Sequence, residues 1–147
     1  MVGEVIKSFK ITGCYWKDNV FPTLNDMLTE ATRHPMAYAT MKRSMDWTCV
    51  INIRNQLKGW KADKRIRLDI TYGEKRKGPV RDYDNVVCSA RKFIGDALVK
   101  TDTIKDDKPY YLDMGENYFV YTDKPFIQVD IVETGEILKD KNELLKK

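Results

Sequence analysis

The sequence predicts an α+β fold, a single domain in which helices cover a small mixed β-sheet. The chain has 147 residues, which is enough for one domain with one hydrophobic core. Hydrophobic residues make up 42% of it and charged residues 33%, a balance typical of globular rather than disordered proteins. Segments with a period of two residues are intermixed with segments of helical period, as in α+β proteins. Residues 1–147 are therefore expected to form one domain.

The amino-terminal part predicts a strand, a loop and a short helix. The strand occupies residues 4–11, where three apolar side chains share one face: Val5, Phe9 and Ile11. Residues 14–22 are expected to form a loop. Thr23 is a good N-cap for a helix that begins at Leu24 and ends near residue 31.

Residues 38–60 predict the longest helix. An apolar stripe at helical spacing comprises Val50, Ile53, Leu57 and Trp60. Three basic side chains lie beside this stripe: Arg54, Lys58 and Lys61. They could extend a phosphate-binding surface, although for each one alone an ordinary solvent-exposed role is favoured. The three tryptophans, Trp16, Trp47 and Trp60, are expected in the core rather than as base-stacking platforms. Trp16 and Phe21 lie in the early loop and could instead touch DNA.

A strand, a basic turn and a second long helix follow. Residues 64–72 alternate the apolar side chains Ile66, Leu68, Ile70 and Tyr72. Residues 73–81 (GEKRKGPVR) are expected to form the turn, because Gly73, Gly78 and Pro79 break regular structure. A helix then runs from about residue 85 to residue 99, with a buried face formed by Val86, Ala90, Phe93 and Ala97.

The carboxyl-terminal part predicts two strands and a charged end. Residues 117–121 (NYFVY) and 126–132 (FIQVDIV) are rich in strand-forming side chains. The short connection of residues 122–125 suggests that the two strands form a hairpin. Residues 136–147 are expected to be a charged terminal helix or a frayed tail.

Charge is concentrated in the middle of the chain. Residues 1–32 carry 3 basic and 4 acidic side chains, residues 33–92 carry 15 and 6, and residues 93–147 carry 8 and 12. The corresponding net charges of −1, +9 and −4 sum to the overall +4. A strongly basic middle indicates a face that meets a polyanion, although a lysine-rich solvated surface would give the same pattern.

Several classes of protein are disfavoured by the sequence. No apolar run is long enough to span a membrane and the amino terminus carries charges, so a cytoplasmic protein without a membrane partner is expected. The three cysteines lack CxxC spacing, which favours buried free thiols over disulfides or zinc. The single histidine, His34, excludes multi-histidine sites and is expected on the surface. No glycine-rich phosphate loop is present, so no nucleotide cofactor is expected.

Two acidic pairs flank the second long helix. Asp82 and Asp84 are one residue apart, and in an extended segment their side chains would point the same way. Asp106 and Asp107 follow the helix, and if the chain folds back they could approach the first pair. Carboxylates so placed could hold Mg²⁺ and activate water for phosphodiester hydrolysis. The alternative is that the first pair only caps the helix and the second forms a polar turn.

The order of these features resembles the RusA-type Holliday junction resolvases. The pattern is a basic run, D-x-D-N, a helix containing K-x-x-x-D-A-L, and a D-D turn. It is supplied in order by Lys75, Arg76, Lys77, Arg81, Asp82, Asp84, Asn85, Lys92, Asp96, Ala97, Leu98, Asp106 and Asp107. The strong match covers residues 75–107, and a weaker one extends over most of the chain.

The resemblance implies a Mg²⁺-dependent endodeoxyribonuclease, with Mn²⁺ as a possible substitute. Asp82, Asp84 and Asp107 would bind the metal, with Asn85 and Asp106 in support. Family members also have a helix lysine that stabilises charge on the phosphate. Its position here is occupied by Cys88, so the role is assigned to Lys92 one turn later, with Arg91 as the other candidate.

The resemblance also implies branched DNA as substrate and a homodimer. The residues expected to contact DNA phosphates are Lys75, Arg76, Lys77, Arg81 and Arg91. A four-way junction has two-fold symmetry, so a C2 dimer suits two symmetric nicks near the crossover. The expected role is DNA recombination or repair in a bacterium or prophage. The alternatives are a non-catalytic branched-DNA-binding protein, a nuclease for flaps or RNA, and a small adaptor whose acidic turns are only caps.

Overall fold

The computed structural model describes residues 3–12 and 20–145. Predictions made for Cys14, Trp16 and the last two residues of the terminal segment lie outside the described residues. Within the described ranges the elements are β1 (Val5–Ile11), α1 (Leu24–Arg33), α2 (Pro35–Leu57), β2 (Arg65–Lys75), α3 (Tyr83–Lys100), β3 (Leu112–Asp113), β4 (Asn117–Thr122), β5 (Phe126–Gly135) and α4 (Lys141–Leu145).

The sheet is mixed and is built around β2. On one side β2 pairs with β5 in antiparallel orientation, and β5 pairs in turn with β1, also antiparallel. On the other side β2 pairs in parallel with the short β3 and then with β4. The parallel pairing requires a crossover, and α3 supplies most of it. The predicted α+β fold with a small mixed sheet is confirmed.

The predicted hairpin between β4 and β5 is wrong. Both strands pair with β2, so Tyr72 lies between Phe119 of β4 and Ile127 of β5. The short connection between the two strands therefore passes across the end of β2 rather than forming a tight turn. The N–H of Arg76, just beyond β2, donates to the carbonyl of Thr122 at 2.9 Å and holds this crossing in place.

The core contains the apolar faces that the sequence predicted. Buried positions come from β2 (Ile66, Leu68, Ile70, Tyr72), α2 (Val50, Ile53, Leu57), α3 (Val86, Ala90, Phe93, Ala97) and β1 (Phe9, Ile11). Val5 of the predicted β1 face is exposed instead, because the register of β1 shifts between Val5 and Lys7. Such a bulge rotates the residues before it to the other face of the sheet.

Helix ends follow local capping chemistry. Thr23 and Asp26 form a reciprocal capping box at α1, as the predicted N-cap required. The Nδ1 atom of His34 accepts the N–H of Met36 at 3.0 Å and caps α2, which therefore begins at residue 35 rather than 38. The helix ends at residue 57 rather than 60, because Lys58 and Gly59 adopt positive φ angles.

Other local predictions need correction. Gly73 belongs to β2 rather than to the turn, and the ring of Phe126 lies over it where a Cβ would otherwise sit. Trp47 is 61% exposed rather than part of the core, whereas Trp60 packs against the core. Cys49 is a buried free thiol as predicted, but Cys88 is exposed.

The terminal segment is helical only over residues 141–145. None of the helices in the described ranges combines the length and apolar character needed to cross a membrane.

Candidate functional site

The first turn of α3 carries the two carboxylates of the D-x-D pattern. Asp82 is the N-cap, and its Oδ1 accepts the N–H of Asp84 at 3.1 Å. The capping interpretation is thus confirmed for Asp82. Both side chains are exposed, and the helix dipole favours negative charge at this end. Among the described residues, the Asp84 carboxylate and the second oxygen of Asp82 accept no hydrogen bond, and the half-buried Asn85 donates to neither side chain.

An aromatic stack fixes the residue between the two carboxylates. The ring of Tyr83 lies 4.1 Å from that of Phe119, which lies 4.8 Å from that of Tyr72 on its other side. Burial raises the pKa of Tyr72 to about 12, so its hydroxyl stays protonated and donates to Asn117 at 2.9 Å. Tyr83 was not singled out from the sequence. The available signal was an aromatic residue between the two aspartates of D-x-D, together with the aromatic residues of the NYFVY segment.

The second acidic pair lies at the other end of α3. Asp107 packs against Gly95, where an added Cβ would lie 3.6 Å from the Asp107 Cβ and 3.7 Å from its Oδ2. Asp84 and Gly95 are eleven residues apart on the helix, which corresponds to about 16 Å along its axis. Asp106 accepts the N–H of Lys108 at 3.3 Å, as an ordinary polar turn does.

The predicted convergence of Asp82, Asp84 and Asp107 therefore does not occur within this structure. Over residues 3–12 and 20–145, no group of three or more His, Cys, Asp or Glu side chains is placed to hold a metal ion. The residues that remain suitable for Mg²⁺ are the exposed pair Asp82 and Asp84. Their hard oxygen donors and open access to water suit this ion, which commonly takes only one or two protein carboxylates.

Three of the predicted DNA contacts lie on an exposed turn. Lys75 ends β2, and Arg76 and Lys77 follow it with their side chains in solvent. The Arg76 guanidinium lies 3.8 Å from Asp123, but both side chains are more than 60% exposed, so this pair is weak. A pocket of about 210 Å³ opens beneath the turn and is lined in part by Lys75 and Lys77.

Arg81 is engaged in structure instead of being free in solvent. Its Nε and Nη2 donate to the two carboxylate oxygens of Glu74 at 2.8 Å each, and its Nη1 donates to the carbonyl of Phe21 at 2.6 Å. Both side chains are largely buried, at 20% and 10% exposure. This bidentate pair ties the residue preceding D-x-D to β2 and to the loop before α1.

Arg91 is engaged in a similar way. Its guanidinium donates to Asn117 Oδ1 at 3.0 Å and to the carbonyls of Leu68 and Glu116 at 3.0 and 3.1 Å. It thereby joins α3 to the place where β2 and β4 begin to pair. Of the two candidates for the helix-lysine role, Lys92 is therefore the one with a largely exposed side chain.

Lys92 is 63% exposed and lies 3.5 Å from Asp96. It is eight residues from Asp84 on α3, or about 12 Å along the helix axis. Cys88, one turn after Asp84, is exposed on the same face. Lys92 can therefore reach a DNA backbone that runs along α3, at some distance from the carboxylate pair.

Comparison with known proteins adds little. No family model matches the chain, and no curated protein is significantly similar to it. Among solved structures, a crystal structure of the hydrogenase maturation protein HypE is 16% identical, with a TM-score of 0.30. The similarity covers 96% of this chain but only 35% of that protein. A TM-score this low carries no argument about fold or function.

Proposed function

We propose that the protein is a Mg²⁺-dependent endodeoxyribonuclease of the RusA type that resolves four-way DNA junctions. One observation carries this proposal: two solvent-exposed carboxylates, Asp82 and Asp84, begin α3 directly after the exposed basic turn. The resemblance of residues 75–107 to the family pattern adds support. A cytoplasmic role in DNA recombination or repair goes with this proposal.

The basic turn and the carboxylates have complementary tasks. Lys75, Arg76 and Lys77 would bind phosphates and offset the repulsion between DNA and the two acids. Mg²⁺, when bound by Asp82 and Asp84, would supply charge neutralisation at the scissile phosphate. The stacked ring of Tyr83 restricts the backbone between the acids, so their spacing is set before DNA arrives.

A non-catalytic junction-binding protein is the second candidate. It is favoured by the position of Asp107 against Gly95, because the third expected metal ligand is then absent from the carboxylate pair. The exposed Cys88 at the position of the family's lysine favours it as well. A nuclease for flaps or RNA would use the same residues, and a panel of substrates separates it from a resolvase.

We also propose that two copies pair through β4. This strand is hydrogen-bonded to β2 on one side, and no described strand lies along its other side. Its six residues carry no charge, and the exposed side chains include Tyr118 at 54% and Val120 at 43%. An uncharged, unpaired strand edge with apolar side chains is a favourable site for strand addition.

The opposite edge of the sheet explains why the partner would be a second β4. The strand β1 carries Lys7 and Lys10 and has a bulge, and the Gln56 side chain hydrogen-bonds the backbone N–H and C=O of Lys10. These features block strand addition at β1. Pairing of β4 with β4 is symmetric and closes as a dimer, as two symmetric nicks require.

The nuclease proposal is tested with a labelled four-way junction and Mg²⁺. We expect Asp84→Asn to bind the junction as wild type does and to lose cleavage by at least 100-fold. Asp63→Asn is the matched control, since Asp63 is an exposed acid outside the site. Binding by wild type with no cleavage in Mg²⁺ or Mn²⁺ would favour the non-catalytic candidate. Equal cleavage by Asp84→Asn and Asp63→Asn would reject the carboxylate site.

A further inference from the structure

An exposed tryptophan lies in a basic groove at the far end of α3 from the carboxylates. Trp47 of α2 is 61% exposed, which is unusual for the largest apolar side chain. The groove has a volume of about 480 Å³ and is lined by Arg43, Asp46, Trp47, Val50, Arg54 and Lys100. A largely exposed indole among several cations is an arrangement that the proposed nuclease site does not use.

The spacing of α2 places two arginines on either side of the indole. Arg43 precedes Trp47 by four residues and Arg54 follows it by seven, so the three side chains share one helix face. Arg43 and Arg54 are eleven residues apart, or about 16 Å along the axis. Neither arginine has an acidic partner within the described parts of the chain, so both guanidinium groups are available to a ligand.

The single acid in the groove is already neutralised. The Oδ2 atom of Asp46 accepts from Lys100 at 2.8 Å and from Lys42 at 3.1 Å. Its Oδ1 is enclosed and has no hydrogen-bond partner in the described structure. The three cations that line the groove against this one carboxylate leave it with a net charge of about +2, and Asp46 fixes the Lys100 ammonium at its rim.

We propose that this groove binds an unpaired segment of DNA, with a base stacked on Trp47 and its flanking phosphates on Arg43 and Arg54. Base stacking on an exposed aromatic ring beside backbone-binding cations is how single strands are held without sequence preference. A base pair in a duplex keeps its faces covered by its neighbours, so the indole is accessible only to an unpaired base. An acidic peptide would use the arginines but would leave the indole without a partner.

The position of the groove suits a second contact on branched DNA. Lys100 is sixteen residues from Asp84 on α3, which is about 24 Å, or roughly seven nucleotides at 3.4 Å each. A strand that opens near the crossover could thus occupy the groove while phosphates elsewhere contact the basic turn. The inference takes its class of ligand from the proposed function but does not require cleavage.

The test measures binding of the full-length chain to labelled oligothymidine of about twelve nucleotides, by anisotropy and by quenching of tryptophan fluorescence. We expect Trp47→Ala to weaken binding about tenfold or more, in line with the loss of one stacked base. Trp47→Phe should retain most of the affinity but lose most of the quenching. Arg54→Gln should also weaken binding, whereas Lys139→Gln, at an exposed lysine outside the groove and the basic turn, should have little effect.

Three results would overturn the inference. These are the absence of oligothymidine binding by wild type, equal affinity of Trp47→Ala and wild type, and displacement of the oligonucleotide by polyglutamate at matched charge. The proposed nuclease is assessed separately through the junction assay. If the wild-type protein nicks junctions but does not bind oligothymidine, only the proposal for the groove is refuted. If it binds oligothymidine in a Trp47-dependent way but does not nick junctions, only the nuclease proposal is refuted.

Discussion

The ion pair between Arg81 and Glu74 predicts a large loss of stability when only one partner is removed. Arg81→Ala leaves the Glu74 carboxylate largely buried without its bidentate partner and also removes the donor to the Phe21 carbonyl. Removal of one member of a buried ion pair costs about 3–5 kcal/mol. Since Arg81 is one-fifth exposed, we expect a loss at the lower end, about 3 kcal/mol.

This loss corresponds to a fall in melting temperature of roughly 6–12 °C for a chain of this size. The measurement is urea and thermal unfolding followed by circular dichroism. Lys77→Ala is the matched control, because Lys77 is an exposed cation of the same turn, and we expect a change within about 0.5 kcal/mol. Replacing both partners by apolar residues, as Arg81→Met with Glu74→Leu, should recover most of the loss.

A stability of Arg81→Ala within about 0.5 kcal/mol of wild type would refute this reasoning. The same variant also tests the prediction that Arg81 contacts DNA. With its guanidinium donors occupied in the protein, we expect junction affinity to be nearly unchanged at a temperature where the variant is folded. A tenfold loss of affinity without loss of stability would instead make Arg81 part of the DNA surface.

Three further predictions concern pH, thiol reactivity and assembly. Burial alone would raise the pKa of Asp69, but the N–H of Glu116 and the Arg67 guanidinium outweigh it and hold the pKa below its usual value. Its stabilisation is therefore present above pH about 4 and lost as pH falls through the lowered pKa. Asp69→Asn should thus lose more stability at pH 7 than at pH 2.5 in urea unfolding, and an equal loss at both would contradict this. Burial raises the pKa of Cys49 while Cys88 is exposed, so Cys88→Ser should remove a fast-reacting thiol from an Ellman titration and Cys49→Ser should not. Val120→Lys should convert a dimer to a monomer in sedimentation, because like charges would oppose each other across the paired strands, and a dimer that persists would rule out the β4 interface.

The elements and the core could largely be predicted from the sequence, because each depends on local periodicity. The stripe at Val86, Ala90, Phe93 and Ala97 is buried as its helical spacing required. The partner of each strand could not be predicted in the same way. A short connection after β4 favours a hairpin, and only the crossover through α3 brings β2 between the two strands.

The candidate site could be predicted only in part. The exposed position of Asp82 and Asp84 follows from capping preferences at a helix start. The position of Asp107 depends on where the chain packs after α3, and residue spacing does not determine this. For Arg81 and Arg91, a positive charge in the sequence did not reveal that their donors are used by Glu74 and by backbone carbonyls.

Cleavage of a four-way junction by the wild-type protein is the most direct test of the proposed function. The junction would be labelled on each strand in turn, incubated with Mg²⁺, and the products mapped at nucleotide resolution, with EDTA as the control. We expect paired nicks, symmetric about the crossover, on two strands of like polarity, and none in EDTA. Intact strands in both Mg²⁺ and Mn²⁺, despite tight binding of the junction, would contradict the nuclease proposal.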